Sequence, residues 1–510
     1  MTPAPTPRTR RLMTLCTLLG LAVLLTVPSC GNWQAQMPTL PTFGDDEPAT
    51  PARTPARTST TSKSTSAYPG PDAVPIAVIA GIAGEPDIRV RLREGTTTAT
   101  IGLTGGDALW VLGQDRARPA AAMRPPVAVA LTESGWTFTD AAGLVASYPR
   151  LIDVLVAPER EMLAEGAVGV ASTNAPPLGA PTGNLARAAS TANLASKLTL
   201  DRARFGGKFI LSARSDISPR TFDLVEDVGL AEYLVGVVAA EMGPSWPRQA
   251  FGAQAVAARS YAIQHRQLAR SQGERFDVES SVRDQAYKGA SENPTAALAV
   301  RDTQGVVLTW NSQVLRAYYS STAGPNPASA RDTWPIVRGF EYNLAGPLQA
   351  GERPPGLGQA SPYYRWQATR GKADLTARLR EWGRQNGGTL KQLAQITAVR
   401  PTQTNAVGRP THFTITDSAG ATHTISAEQL RQASNTEAAG LAKVTKEIRV
   451  NSSDMDAWAI GGETITIVGR GFGHGVGLCQ YSAKQLADEG EKWPEIVVQF
   501  YPGAQLRRAY

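Results

Sequence analysis

The chain has 510 residues, more than one ordinary domain of roughly 150 residues accounts for, so two or three folded units plus attachments are expected. Hydrophobic residues make up 42% and charged residues 19%, a balance that excludes wholesale disorder by charge repulsion. The net charge of +7 comes from Lys and Arg scattered without blocks of like charge, which argues against nucleic acid and suits a mild attraction to anionic polymers, cell wall included.

At the amino terminus Arg8, Arg10 and Arg11 precede an apolar run from Leu12 to Val27. The run is shorter than the roughly 20 residues of a spanning helix and right for the apolar region of a signal peptide, so residues 1–29 are expected to direct export. It ends in Val27-Pro28-Ser29-Cys30-Gly31, which resembles a bacterial lipobox. Lipid on Cys30 would anchor the protein to a membrane. A plain cleaved signal peptide and an uncleaved anchor helix are the alternatives. Residues 30–73, with the tandem Thr50-Pro51-Ala52-Arg53 and Thr54-Pro55-Ala56-Arg57 and a Ser/Thr tract, hold too few large apolar side chains to offset ordering entropy and are expected to form a disordered tether. The three cysteines, Cys16, Cys30 and Cys479, make no disulfide framework and no zinc ribbon.

From Val74 the runs Val74-Pro-Ile-Ala-Val-Ile-Ala, Ile88-Arg-Val-Arg-Leu, Thr98-Ala-Thr-Ile and Val127-Ala-Val-Ala-Leu, separated by Gly, Pro or Asp, predict a β-rich region over 74–200, with a long loop from about Ala171 to Ser196. Leu230 to Met242 is apolar apart from Glu232 and Glu241 and predicts a helix. A second helix, Trp246 to about Arg270, is expected after a cap at Ser245, with Ala250, Ala253, Ala257 and Tyr261 on one close-packing face. Two apolar runs flanking Asn311-Ser312 predict a hairpin, after which Ser320, Ser321 and Thr322 gather hydroxyls at a strand end. Residues 347–362 read as loop, Leu375–Gln385 and Leu390–Ile396 as helices, and Phe413–Ile425 as a hairpin. Glycine then occupies every second position from Gly469 to Gly477, so an extended backbone would leave one face bare and show Arg470, Phe472, His474, Val476 and Leu478 on the other.

The glycine run does not fit the dinucleotide fingerprint, whose glycines cannot all share a period of two, and no phosphate-cradling loop signature is present. No paired-histidine metal spacing occurs either. His474, between glycines, is either a hydrogen-bonded structural residue or a group on a ligand-facing surface. Cys479 lacks the companions of a nucleophile and reads as a small buried thiol. Glu241, in apolar surroundings, has two readings. Desolvation can raise its pKa until it donates a proton at neutral pH, or it is a helix-end carboxylate paired with Arg259 or with backbone.

The stretch from Glu232 to Ala262, with Ala240-Glu241-Met242 and Ala257-Ala-Arg-Ser-Tyr261, closely resembles the signature of the SpoIID/LytB family of sporulation protein D and amidase-enhancer proteins. Three further blocks match in order: Gln285-Ala-Tyr-Lys-Gly289 with Thr303-Gln-Gly305, Ala317-Tyr-Tyr-Ser-Ser-Thr-Ala-Gly324, and Gly469 to Ala483 leading to Phe500-Tyr-Pro-Gly503. The resemblance implies an exported α+β protein with a β-rich amino-terminal part and a catalytic region over 201–510, acting on peptidoglycan glycan strands without a cofactor. In the sporulation branch the implied activity is lytic transglycosylation of strands stripped of stem peptides, with Glu241 as catalyst. Arg259, Tyr318 and Ser321 are implied to line the cleft, and His474 and Gln480 to bind sugar or backbone. Gly252 stands where relatives often carry Lys, and the Cys/His pair that some relatives present to zinc is absent from Val282-Arg-Asp-Gln-Ala286, so no metal is expected. A binding module that assists a cell-wall amidase and an envelope scaffold remain as competing readings.

Overall fold

The computed structural model describes residues 77–78, 84–164 and 196–510 apart from 215, 282 and 355. The expected signal peptide, Cys30, the tether and most of the Ala171–Ser196 loop lie outside the described residues. The fold is α+β, with helices segregated from several sheets.

Two sheets make the amino-terminal part. A six-stranded sheet runs in the order Ala203–Phe205, Lys197–Leu200, Thr98–Thr104, Val127–Thr132, Gly135–Thr139, Val145–Tyr148. A seven-stranded sheet runs Val278–Glu279, Asp87–Thr96, Phe222–Gly229, Lys208–Ala213, Val154–Pro158, Leu109–Gly113, Ala121–Met123, and the short helix α1, Glu159–Ala164, follows its strand Val154–Pro158. Trp136 of the first sheet meets Phe222 of the second edge to face at 5.2 Å, so the two share one core. The sheets do not stop at residue 200: strands Lys208–Ala213 and Phe222–Gly229 are central to the second, and the latter leads straight into the helices.

Helix α2, Leu230–Glu241, ends where Met242 turns extended, and Gly243-Pro244 redirects the chain. Helix α3, Arg248–Ser271, follows. Its N-cap is Pro247 with no side-chain cap, so the expected Ser245 cap is not made: the chain enters with the proline ring setting φ in place of a hydroxyl. Every residue of α3 from Ala250 to Ile263 is buried, because its small side chains let neighbours approach on all sides. Those neighbours include helix α4, Pro294–Asp302, and the strand Val306–Trp310. That strand turns through Asn311 and Ser312, both with positive φ, into Gln313–Val314, the tight hairpin expected. On its other side lies the carboxyl-terminal strand Gln505–Arg508, which also pairs with Ala77–Val78.

After the one-turn helix α5, Ala330–Thr333, a unit with its own core is inserted. It holds two three-stranded sheets, Trp366–Gly371/Thr464–Gly469/Met455–Gly461 and Ile396–Thr404/Pro410–Asp417/Thr422–Ser426, with helices α6, Lys372–Asn386, and α7, Ala427–Ser434. Leu375, Leu379, Phe413, Leu430 and Ile467 fill its interior. The helix expected over Leu390–Ile396 is instead a single 3-10 turn, Thr389–Gln392, followed by a strand starting at Ile396. A short apolar run does not reveal its period, and the pairing of Ile396–Thr404 with Pro410–Asp417 decides it. The chain then returns to the first core through helices α8, Gln480–Asp488, and α9, Trp493–Phe500.

The glycine run is not extended. Gly471, Gly473, Gly475 and Gly477 have φ of 85°, 94°, 79° and 71°, so the segment winds between the two cores instead of baring a face. Phe472 bridges to Thr322 of the core and Gly473 to Ser452 of the inserted unit. At Gly475 a Cβ would stand 2.7 Å from the guanidinium of Arg409, which comes from the inserted unit and donates to the carbonyls of Ala323, Asn326 and His474.

Candidate active site

Glu241 closes α2, at the helix end where a negative charge is least welcome. It is half-buried. The Ala286 amide donates to its Oε1 at 3.0 Å and Gln480 Nε2 donates to its Oε2 at 3.4 Å. Burial raises its pKa, while these two donors and the Tyr319 hydroxyl pull the other way without cancelling the rise. The groups acting on Glu241 are thus neutral donors, with no cation and no second carboxylate among them.

The surroundings are assembled from segments distant in sequence. Tyr319–Ser320 and Leu478–Cys479 form a two-stranded parallel pair, Tyr319 opposite Leu478, and α8 begins immediately afterwards with Gln480. The pair therefore delivers Tyr319 and Gln480 to the same carboxylate. Behind them Tyr233 donates to Gln285 Oε1 at 3.1 Å, and Gln285 Nε2 donates to the Tyr319 hydroxyl at 3.0 Å. Gln285 is fully buried, and its amide fixes the tyrosine's orientation. Sequence reasoning does not single out Tyr319 and Gln285, although both lie within family-like blocks. Their only signal was position in those blocks, since a tyrosine and a glutamine carry no spacing pattern of their own.

The remaining expected site residues divide. Gln480 sits on Glu241, as described. Arg259 does not enter the site: it is fully buried within the core, where it donates to Thr303 Oγ1, Val306 O and Val300 O and so ties α3 to α4 and its following strand. Glu241 and Arg259 are not paired, because the bend after Met242 carries α3 past α2 and turns the arginine toward α4. Ser321 is buried; its carbonyl accepts from the Tyr481 amide at 3.1 Å, and its hydroxyl has no partner. Cys479 is a buried free thiol that accepts from the Ser482 hydroxyl.

Tyr318 and His474 gather instead around a cavity of about 410 Å³ whose lining includes Tyr319 but not Glu241. The Tyr318 hydroxyl donates to Asn343 Oδ1 at 2.8 Å and its ring stacks on Trp334 at 3.9 Å. His474 Nδ1 accepts from the Val476 amide, and the ring meets Trp334 edge-on at 4.9 Å. Burial takes the His474 pKa down to about 4, so the ring is neutral at ordinary pH. Among the described residues no cluster of three His, Cys, Asp or Glu could hold a metal ion.

Comparison with known proteins follows the same segments. A family model described as stage II sporulation protein matches residues 218–310, which contain Glu241 and Gln285, and a domain of unknown function matches 353–477, the inserted unit. The chain is 30% identical over 301 residues to stage II sporulation protein D of Bacillus subtilis (strain 168), covering 56% of this chain and 76% of that protein. It is 27% identical over 304 residues to the amidase enhancer of the same organism, covering 54% of this chain and 40% of that protein.

Proposed function

The chain belongs to the stage II sporulation protein D family, and from that footing we propose that it is a peptidoglycan lytic transglycosylase with Glu241 as its acid and base. The observation that carries this reading is a half-buried carboxyl with a raised pKa and only neutral donors around it. Hydrolysis of a glycoside by water uses two carboxyl groups at a set separation. Transglycosylation needs one. Protonated Glu241 donates to the glycosidic oxygen as that bond breaks, and the C6 hydroxyl of the same muramic acid attacks the anomeric carbon. The ionised Glu241 then takes the hydroxyl proton, leaving a 1,6-anhydro end and a restored acid.

Gln480 and the Ala286 amide hold the carboxylate in place for both steps. Tyr319, fixed by Gln285, offers a hydroxyl between Glu241 and the cavity. In this reading strands stripped of stem peptides are the substrate, and export with a lipid on Cys30 places the protein at the cell envelope. The amidase enhancer relative supports a second reading, a glycan-holding partner of a cell-wall amidase.

The test is incubation of the full chain with stem-stripped strands and mass spectrometry for anhydro-muramic ends. Product from the wild type and none from Glu241→Gln is the expected result. No product from a folded wild type that still pulls down strands overturns the enzyme and leaves the binding partner; undiminished product from Glu241→Gln overturns the role of that residue.

A further inference from the structure

Glu226 is a second buried acid, one that the chemistry at Glu241 leaves unused. It lies on the strand Phe222–Gly229, opposite Phe209 and Val90 of the two neighbouring strands, and is fully buried. Its Oε1 accepts from the Gly207 amide at 3.0 Å, and its Oε2 is buried without a hydrogen-bond partner. Of the charged groups that act on it, Glu232 repels its charge and Lys197 is ion-paired to that same Glu232. Burial pushes its carboxyl up to about 7. A buried acid without a cation of its own costs more than an apolar side chain of similar size, so filling the sheet does not account for it.

What the carboxyl faces is Tyr287. The Tyr287 hydroxyl is likewise buried without a hydrogen bond of ordinary geometry, and the two groups are close enough to shift each other's acidity. The ring itself is wedged. Its centroid lies 5.0 Å from that of Tyr233 and 6.4 Å from that of Phe205, and a Cβ on Gly236 of α2 would stand 2.6 Å from its Cε2. Only the hydroxyl end is left to be fixed, and Glu226 stands there. Tyr287 also belongs to three successive residues that point three ways: Gln285 donates to the Tyr319 hydroxyl, the Ala286 amide donates to Glu241, and Tyr287 reaches back to Glu226. A displacement of Tyr287 is thus passed, within one residue, to an amide that stabilises the ionised form of Glu241.

We propose that Glu226 is a positioning residue for Glu241: by holding the Tyr287 hydroxyl it sets the Gln285–Tyr287 segment, and with it the Ala286 donor and the orientation of Tyr319. The inference rests on Glu241 as the reacting acid and extends that site to the sheet behind Tyr287.

Isotope-edited NMR titration of the full chain carrying carboxyl-labelled glutamate, with the Glu241 signal assigned from Glu241→Gln, tests it alongside strand cleavage. Because the Ala286 amide favours the charged carboxylate, Glu226→Leu and Tyr287→Phe are each expected to move the Glu241 titration to higher pH and to lower kcat at least about tenfold with KM unchanged. Glu226→Gln, which keeps a donor and an acceptor at the same place, is expected to restore both. Should Glu226→Leu unfold, Tyr287→Phe, which removes a single oxygen, carries the test. A Glu241 titration unmoved in the folded variants overturns the proposal. A shift in Glu226→Gln as large as in Glu226→Leu overturns hydrogen bonding to Tyr287 as its means. The titration is read without substrate, so the two readings fail separately. A wild type that does not cleave, while the variants shift the titration, sinks the transglycosylase alone, and a wild type that cleaves, while the variants leave the titration in place, sinks the positioning role alone.

Discussion

Asp374 and Glu428 of the inserted unit and Glu241 of the core all take charge out of water, and they use it in opposite ways. In the inserted unit Asp374 faces Arg370 and Arg378, whose other nitrogens reach the carbonyls of Ser434, Ile448, Thr436 and Ala442, while Glu428 pairs with Arg431. Asp374 and Glu428 each have a cation, so their charge is settled and their work is to hold α6 and α7 to the loops that follow. Glu241 in the core has only neutral donors, and burial therefore makes its proton easy to keep. A buried carboxylate with a counter-ion fixes shape; one without a counter-ion has its acidity changed, which is what proton transfer requires.

The sharpest way to break this contrast is to remove one carboxylate from each region. Glu241→Gln is expected to cut the rate of anhydro-end formation by roughly 100- to 10,000-fold, with strand pull-down and melting temperature retained. Asp374→Asn is expected to lower stability and leave the rate per folded molecule near wild type. Equal losses of rate in the two, with both folded, would end the distinction.

The seam comes next. Arg409 joins the inserted unit to the glycine run and to Ala323 and Asn326, so Arg409→Met is expected to cost about 3 kcal/mol, measured by chemical denaturation, and to open residues 353–477 to limited proteolysis first. Gly475→Ala, which meets that same guanidinium at positive φ, is expected to cost about 1–3 kcal/mol. A smaller loss, about 2 kcal/mol, is expected for Arg259→Met, again with the rate per folded molecule unchanged, because its three partners all belong to the core. A fall in rate without a fall in stability would return Arg259 to the site.

The smallest effect is on pH dependence. The acid step needs protonated Glu241, so the rate is lost as pH rises through its raised pKa. Gln480 stabilises the charged form, and Gln480→Leu should move that alkaline limb to higher pH. Stability has the same sign: a raised carboxyl pKa contributes stability that is fully present below the ordinary carboxyl range and is lost as pH rises through the raised value. Glu241→Gln should flatten that part of the stability curve; a curve of unchanged slope would show that Glu241 is not perturbed.

How much was readable beforehand follows the range of the interactions involved. The helix ending at Glu241, the bend at Gly243-Pro244 and the turn at Asn311-Ser312 all depend on near neighbours in the chain. Other features depend on contacts between distant segments. Ser245 looked like a cap because serine favours that position, yet Pro247 sets the helix entry. The glycine run promised a flat face because alternation suggests a strand, yet its positive φ values come from two separate cores closing on it. The motif around Arg259 points to the cleft, while its hydrogen-bond partners lie 41 to 47 residues further along the chain, in the core.

By itself the sequence determined the α+β character, the family blocks and the identity of the one acid placed at the end of an apolar helix, because local periodicity and turn chemistry act within a few residues. Only the tertiary structure decided what surrounds that acid. Ala286, Tyr319 and Gln480 reach Glu241 across sequence separations of 45, 78 and 239 residues. An acidity set by burial and by donors so far apart in the chain exists only once the strands pair and the helices pack.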